Sequence, residues 1–192
     1  MNRIDDEPIR FYLEHQDRIR EWAALEADVR EFADRFYRSL KTDLETAVRS
    51  GRAEDGDVEV LFHEEGHHAG ITLRRQIWPR ADEKPDVRLE WNGRRIRFAP
   101  DELYVGVRAK GYKDVFTREA CPNYRGKPSS HWPLWETIEG PSGRFWESHG
   151  LQEYRHRIVR EVLSAWDDLA PLVDKAVASD ATRPTKRESD EF

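Results

Sequence analysis

Residues 58–73 read VEVLFHEEGHHAGITL, and the period of their apolar side chains decides the fold. Apolar and polar residues alternate over residues 58–62 and again over residues 69–73. Because successive side chains of a strand point to opposite faces, this period of two predicts two β-strands. The polar residues Glu65 and Gly66 lie between the two runs and predict a hairpin with a polar tip.

The same period of two returns further along the chain. Asn92 and Gly93 lie between two of the later runs, and Asn-Gly is the strongest short-range signal for a two-residue hairpin. No helical segment separates the runs, which favours an antiparallel sheet over parallel β-α-β units. We therefore predict about five antiparallel strands within residues 57–108. The apolar positions of the later runs are Val87, Leu89 and Trp91, then Ile96 and Phe98, then Leu103, Val105 and Val107.

Two amphipathic helices flank the predicted sheet. Apolar residues recur every three or four positions over about residues 7–49, with acidic residues and arginines on the other faces. Asp6 is the predicted N-cap, Pro8 falls in the first turn, and Gly51 ends the segment, which is one long helix or two helices with a break. A second apolar stripe over residues 151–169 predicts a C-terminal helix that packs beside the first.

The first helix also has a stretch suited to a partner chain. Its apolar residues from Trp22 to Phe36 follow a heptad-like spacing, which permits a homodimer through the N-terminal helix. Trp22, Trp91 and Trp166 all lie on apolar stripes, so we predict that these three rings belong to the core.

Together these patterns predict one α+β domain over residues 1–178. It comprises a long N-terminal helix, an antiparallel sheet of about five strands, an aromatic-rich irregular cover, and a C-terminal helix packed against the first. The cover is the segment 111–150, where tryptophans are mixed with prolines and glycines. No apolar period remains from 179 to 192, which predicts a disordered tail.

The composition restricts the class of protein. With 38 acidic and 32 basic residues the formal charge is −6, so an overall basic footprint for nucleic acid is absent, although a local basic face remains open. The single cysteine, Cys121, cannot form an intramolecular disulfide, which is typical of a reducing compartment. The sequence has no apolar run of membrane-spanning length and no apolar signal segment at its start. We expect a cytoplasmic protein without a membrane partner.

The hairpin stretch also contains His63, Glu64 and His67, which match the pattern H-E-x-x-H. In that pattern two imidazoles one helical turn apart bind zinc and the glutamate acts as general base. The match extends to Gly70, and these eight positions resemble the zincin metalloproteases. The resemblance implies a zinc hydrolase with His63 and His67 as ligands and Glu64 as base, although Leu73 stands where the longer pattern has its third histidine.

A zinc site of this kind requires the segment to be helical. The two glycines within it cost about 2 kcal/mol relative to alanine in a helix interior, and the alternation on both sides favours strands. We therefore predict a hairpin whose histidines lie near a solvated loop, with no cofactor. The zinc-dependent metallohydrolase is the alternative.

The order of the elements is similar to that of small bacterial proteins of unknown function and of modules appended to PD-(D/E)XK nucleases. The similarity covers about residues 57–146, in the α-β-meander-α layout and in two strand segments, VRLEW and LYVGVR. It implies an accessory or binding role and carries over no catalytic residue. Asp86 and Glu90 are spaced like nuclease acids, but Asn92 stands where the lysine would be, so we expect both acids on exposed strand faces.

We therefore predict a non-catalytic binding or accessory protein that contacts another protein or a nucleic acid. Arginines on neighbouring strands predict a basic strip suited to phosphate contacts. Aromatic rings beside cations in the cover are suited to stack a base or a peptide side chain. The predicted binding residues are Arg74, Arg94, Arg95 and Arg97 in the strip, and Arg125, Lys127, Trp132, Trp135 and Trp146 in the cover.

Overall fold

The computed structural model describes residues 6–51, 57–65, 68–79, 85–92, 103–110, 112, 115–141 and 149–181. In these ranges the elements are helix α1 (Glu7–Gly51), strands β1 (Val58–Glu65), β2 (His68–Arg75), β3 (Asp86–Asn92), β4 (Leu103–Arg108) and β5 (Leu134–Thr137), and helix α2 (Gly150–Ala181). The strands form one antiparallel sheet in the order β1-β2-β3-β4-β5. The predicted α+β fold is confirmed.

The stretch over residues 58–73 forms the predicted hairpin. β1 and β2 pair without interruption from Val58 opposite Arg75 to Glu65 opposite His68. The apolar positions that alternate in the sequence point to one face of the sheet, where Ile71 is fully buried. The period of two is therefore sufficient here to predict strands, their direction and the face that enters the core.

The fifth described strand comes from the segment that the sequence assigns to the cover. β5 pairs with β4 from Tyr104 opposite Thr137 to Val107 opposite Leu134. Only the first of its four residues is buried, so no alternation marks it in the sequence. The predicted run at residues 96–98 lies outside the described residues.

Both helices pack on the same face of the sheet. α1 contacts β1 and β2, and α2 contacts β3 and β4. The ring of Tyr37 in α1 lies 5.5 Å from that of Trp91 in β3, and its hydroxyl lies 3.3 Å from that of Tyr154 in α2. The two helices therefore lie against each other as predicted. Buried side chains of this core include Leu40, Leu44, Ile71, Leu73, Leu89, Trp91, Leu103, Trp166 and Leu169.

α1 is one unbroken helix from Glu7 to Gly51. The carboxylate of Asp6 accepts a hydrogen bond from the backbone N–H of Ile9 at 3.2 Å, which confirms the predicted N-cap. α2 is also continuous, because buried side chains on both sides of Pro171 hold the helix in spite of the hydrogen bond that proline removes.

α2 extends to Ala181, past residue 179, where the sequence predicts the start of the tail. Residues 182–192, the rest of that predicted tail, lie outside the described residues. No helix in the described ranges combines the length and the apolar composition needed to cross a bilayer.

Candidate functional site

The two faces of the sheet differ in chemistry because side chains alternate along each strand. The helices cover the apolar face. On the other face, which we call the polar face, the strand register places His63 beside Gly70, Gly70 beside Glu90, and Glu90 beside Tyr104. These four residues form one row across β1 to β4. Other polar-face side chains are Glu65, His68, Thr72, Arg74, Asp86, Arg88 and Arg108.

Glu90 is the centre of this row, with a side chain only 5% exposed. Its carboxylate lies 3.3 Å from Nε2 of His63, accepts a hydrogen bond from the hydroxyl of Tyr104 at 3.0 Å, and lies 3.7 Å from the guanidinium of Arg88. Burial by itself raises the pKa of Glu90, but the hydrogen bonds and charges of these neighbours outweigh it and hold the pKa below its usual range. Glu90 is therefore a buried carboxylate with partners on both sides.

Gly70 makes the contact between His63 and Glu90 possible. The imidazole lies across Gly70, since a Cβ built on this glycine would be 2.5 Å from Cε1 of His63 and 2.4 Å from the backbone oxygen of Leu89. Nδ1 of the same ring lies 3.1 Å from the hydroxyl of Thr72. A side chain at position 70 would therefore separate His63 from Glu90.

Tyr104 links Glu90 to the edge of the row. Its hydroxyl donates to Glu90 and lies 3.2 Å from Nδ1 of His68, whose side chain is exposed. Burial and the neighbouring charge of Glu90 raise the pKa of Tyr104, so the hydroxyl stays protonated and remains a donor. The row thus lies within a chain of hydrogen bonds that extends from Thr72 through His63, Glu90 and Tyr104 to His68.

The described arginines of the polar face are paired with carboxylates. Arg88 donates two hydrogen bonds to Asp86, at 2.7 and 2.9 Å. Burial lowers the pKa of Arg88, but the bonds to Asp86 more than compensate and raise it. Arg108 lies 2.8 Å from the carboxylate of Glu65. Because such a guanidinium would have to release its carboxylate before it could bind a phosphate, these arginines are poor anchors for nucleic acid.

Arg74 of the predicted basic strip is buried. Its guanidinium donates to the backbone oxygen of Trp78 and lies 3.8 Å from the carboxylate of Glu59. The other predicted strip residues, Arg94, Arg95 and Arg97, lie outside the described residues.

The described residues of the H-E-x-x-H match, His63, Glu64 and Glu65, lie in strand β1 rather than in a helix. His63 and Glu64 are neighbours in β1 and point to opposite faces, so His63 contacts Glu90 while Glu64 lies 3.4 Å from Arg38 of α1. His67 lies outside the described residues. Among the residues that are described, no three His, Cys, Asp or Glu side chains converge as metal ligands. The zincin geometry, with imidazoles on successive helical turns, is therefore not formed by this segment.

Two expectations about this face are wrong. His63 is not a solvated side chain without fixed partners, because it is 18% exposed and bonded to Glu90 and Thr72. Asp86 and Glu90 are not exposed acids, since their side chains are 16% and 5% exposed. Both errors have one cause: the sequence shows which face a residue occupies but not which side chains of other strands lie beside it.

The predicted aromatic cover lies beside this row. The ring centroid of Tyr104 is 5.1 Å from that of Trp132 and 5.9 Å from that of Trp135, in edge-to-face contacts. Trp135 packs against the backbone of Gly126 and donates its indole N–H to the oxygen of Lys127 at 3.0 Å. The rings are partly buried, so they mainly seal the edge of the polar face.

Arg125 and Lys127 are exposed at this edge, next to Trp132 and Trp135. The structure therefore brings together four of the five binding residues that the sequence predicts in the cover. Trp146 lies outside the described residues.

A second candidate surface is the first half of α1. Trp22 is 67% exposed, whereas Ala33 and Phe36 of the same helix are buried. The prediction that Trp22 belongs to the core is therefore wrong, while Trp91 and Trp166 are buried as predicted. We call residues 7–32 the projecting segment. Its exposed apolar side chains are Ile9, Phe11, Tyr12, Leu13, Trp22, Leu25, Val29 and Phe32.

The packed body of the protein, formed by the sheet, α2 and the second half of α1, lies directly after the projecting segment in the sequence. The indole N–H of Trp91 in the sheet lies 3.5 Å from the carboxylate of Asp34, and Tyr154 in the first turns of α2 contacts Tyr37. At a rise of 1.5 Å per residue, residues 7–32 extend for about 39 Å. The apolar stripe of α1 thus continues well past the elements that cover it.

No family model, no curated protein and no solved structure matches this chain.

Proposed function

We propose that the protein is a non-catalytic binding protein that docks onto another protein through the projecting segment of α1. The observation that carries this proposal is the exposure of Trp22, Leu25, Val29 and Phe32, each between 44% and 67%. Contiguous apolar side chains at this exposure are typical of protein interaction surfaces. Covering each of them contributes about 1 kcal/mol, half of what complete burial of such a side chain provides.

The spacing of these side chains fits a helical partner. Trp22, Leu25, Val29 and Phe32 are separated by three, four and three positions, which is the a and d spacing of a heptad. The same stripe continues as Phe36 and Leu40, which are buried against the body. A partner helix on the projecting segment would therefore extend the type of packing that α1 already makes.

A protein partner has more support than a nucleic acid. The described arginines of the polar face are held by carboxylates, as in the pairs Arg88–Asp86 and Arg108–Glu65. The projecting segment itself carries more acidic than basic residues, which repels a phosphate backbone. A cytoplasmic location remains a prediction that rests on the single cysteine.

Nothing in the row around Glu90 favours catalysis. Its hydrogen-bonding groups satisfy one another across the strands, as in the chain from Thr72 through His63 and Glu90 to Tyr104. Such a network is typical of a structural role, in which it sets the register of the sheet. The binding role is therefore assigned to the helix rather than to this row.

The proposal is tested with a photo-reactive benzophenone residue placed at one position of α1 in the organism that encodes the protein. Leu25 lies on the apolar stripe, and Ala27 lies on the opposite side of the same helix. We expect a discrete adduct from position 25 and none from position 27. An absence of adducts from position 25, or the same adducts from both positions, would overturn the proposal.

A further inference from the structure

Acidic residues along one edge of the exposed stripe indicate what kind of protein surface the stripe fits. Four acidic residues follow one another at intervals of seven along the projecting segment: Glu7, Glu14, Glu21 and Asp28. Seven residues are close to two helical turns, so these carboxylates form one line along the helix, in which Glu21 and Asp28 flank the apolar stripe from Trp22 to Phe32. We call this line the acidic edge. In the heptad whose a and d positions are Trp22 and Leu25, the acidic edge occupies position g.

The other acids of the segment have a different arrangement. Asp17 lies 3.5 Å from Arg20, and Glu26 lies 3.5 Å from Arg30, so each is paired along the helix. Glu31 is likewise paired with Arg35. Within the described residues, no arginine or lysine forms such a pair with Glu14, Glu21 or Asp28. Arg10 and Arg18 lie three or four positions from Glu14 and Glu21 without forming an ion pair with either, and Asp28 has no arginine or lysine at those spacings. The acidic edge therefore has capacity for cations supplied from outside the helix.

From the stripe and its acidic edge together we infer that the partner surface is a basic amphipathic helix of a different protein, with lysine or arginine flanking an apolar seam. This inference rests on the proposed docking function. In a helix pair, residues at g and e face the corresponding positions of the partner and select it by charge. An unbroken line of carboxylates at g selects a partner with cations at the facing positions.

A second copy of this chain is a poor partner for this surface, by the same argument from the charges at positions e and g. In a parallel pair, Glu21 of one copy would face Glu26 of the other. In an antiparallel pair, the acidic edge would face itself. The antiparallel arrangement places the whole acidic edge against itself, whereas the parallel arrangement has one like-charge contact on each side, and like charges are unfavourable at close range. The homodimer permitted by the heptad-like spacing is therefore disfavoured by charge.

The experiment uses two synthetic helical peptides as probes. Both have leucine at every a and d position; one has lysine at e and g, and the other has glutamate there. Binding of the fluorescently labelled peptides to the full-length protein is measured by anisotropy in 150 mM salt. We expect the lysine peptide to bind at least tenfold more tightly than the glutamate peptide.

A matched pair of double variants locates the effect. Glu21→Lys with Asp28→Lys reverses two charges of the acidic edge and is expected to reverse the preference between the peptides. Glu119→Lys with Glu139→Lys makes the same change of net charge at exposed positions outside α1 and is expected to leave the preference unchanged. Circular dichroism verifies that both variants remain folded.

The outcomes separate this inference from the docking proposal. Equal binding of the two peptides, binding of neither, or an equal effect of both double variants would overturn the inference of a basic partner. A concentration-dependent dimer in sedimentation that Leu25→Asp abolishes would also overturn it, with a second copy as the occupant. In the first three cases a specific adduct of position 25 with another protein would leave the docking function standing. In the dimer case the adduct would join two copies of this chain, and docking onto another protein would fail as well. Without that adduct, the docking function fails as well.

Discussion

Nε2 of His63 lies 3.3 Å from Oε1 of Glu90, although the two residues belong to β1 and β3 and the strand β2 lies between them. The contact crosses β2 at Gly70, the position where that strand has no side chain. It ties three strands together on the polar face. It also gives His63, the first residue of the H-E-x-x-H match, a structural partner.

Replacement of Glu90 by glutamine is expected to destabilise the protein. The change removes the charge that Arg88 faces and one acceptor of the hydrogen bonds from His63 and Tyr104. For a buried group of this kind we expect a loss of about 1–3 kcal/mol in the free energy of unfolding, measured by urea denaturation. Glu64→Gln is the control, since this carboxylate is 62% exposed, and it should cost less than about 1 kcal/mol. Equal losses in the two variants would contradict the structural role of Glu90.

The stability difference between the wild type and Glu90→Gln is expected to depend on pH. Because the pKa of Glu90 in the folded protein lies below its usual value, the ionised side chain stabilises the fold at pH values above the unfolded pKa of about 4.3. This contribution is lost as the pH falls through the lower, folded pKa. Urea denaturation of both proteins between pH 7 and pH 3 should therefore show the difference shrinking on the acid side. A difference that grows as the pH falls would mean that the pKa of Glu90 is raised instead.

Gly70→Ala is expected to disturb the sheet. The new Cβ would lie 2.4 Å from the backbone oxygen of Leu89, and a carbonyl in a central strand cannot move aside as a flexible side chain can. We expect a loss of about 1–3 kcal/mol in the free energy of unfolding, as for other overpacked sites. The double variant with His63→Ala should remain destabilised, because the clash with Leu89 persists. Recovery of the wild-type value in the double variant would show that only the imidazole restricts position 70.

The two tryptophans Trp22 and Trp166 provide a direct comparison of the projecting segment with the body. Both lie on apolar helical stripes, but Trp22 is 67% exposed and Trp166 is 2% exposed. Trp166→Ala is expected to cost about 3–5 kcal/mol in the free energy of unfolding, as for other buried aromatic residues. Trp22→Ala should change it by no more than about 0.5 kcal/mol, as for surface positions. A large loss from Trp22→Ala would mean that the projecting segment is covered within the protein.

Periodicity predicts most of the fold because it reports which face of an element is apolar. The alternation over residues 58–62 and 69–73 is sufficient for the first hairpin, and Asp6 marks the start of α1. β5 could not be found in this way, since only Leu134 among its residues is buried. Its place in the sheet depends on pairing with β4, a long-range contact that leaves no local pattern.

The candidate surfaces depend on what lies beyond each element, which periodicity does not report. The stripe of α1 looks the same on both sides of Ala33, so the sequence cannot show that Trp22 lies past the end of the body. The row around Glu90 depends on the register of four strands. The alternation of Asp86, Arg88 and Glu90 with apolar residues places these groups on one face, but it does not show that Glu90 is buried there.

Amide hydrogen exchange tests the docking of the projecting segment most directly, measured on the protein alone and on the complex isolated from its own cells. In the protein alone, amides of residues 7–32 should exchange at least tenfold faster than those of residues 34–48, because only the latter are packed against the body. In the complex, exchange over residues 7–32 should slow at least tenfold, with no change on the polar face. Residues 7–32 as slow as the body in the isolated protein, or protection over residues 125–135 in their place, would contradict the account.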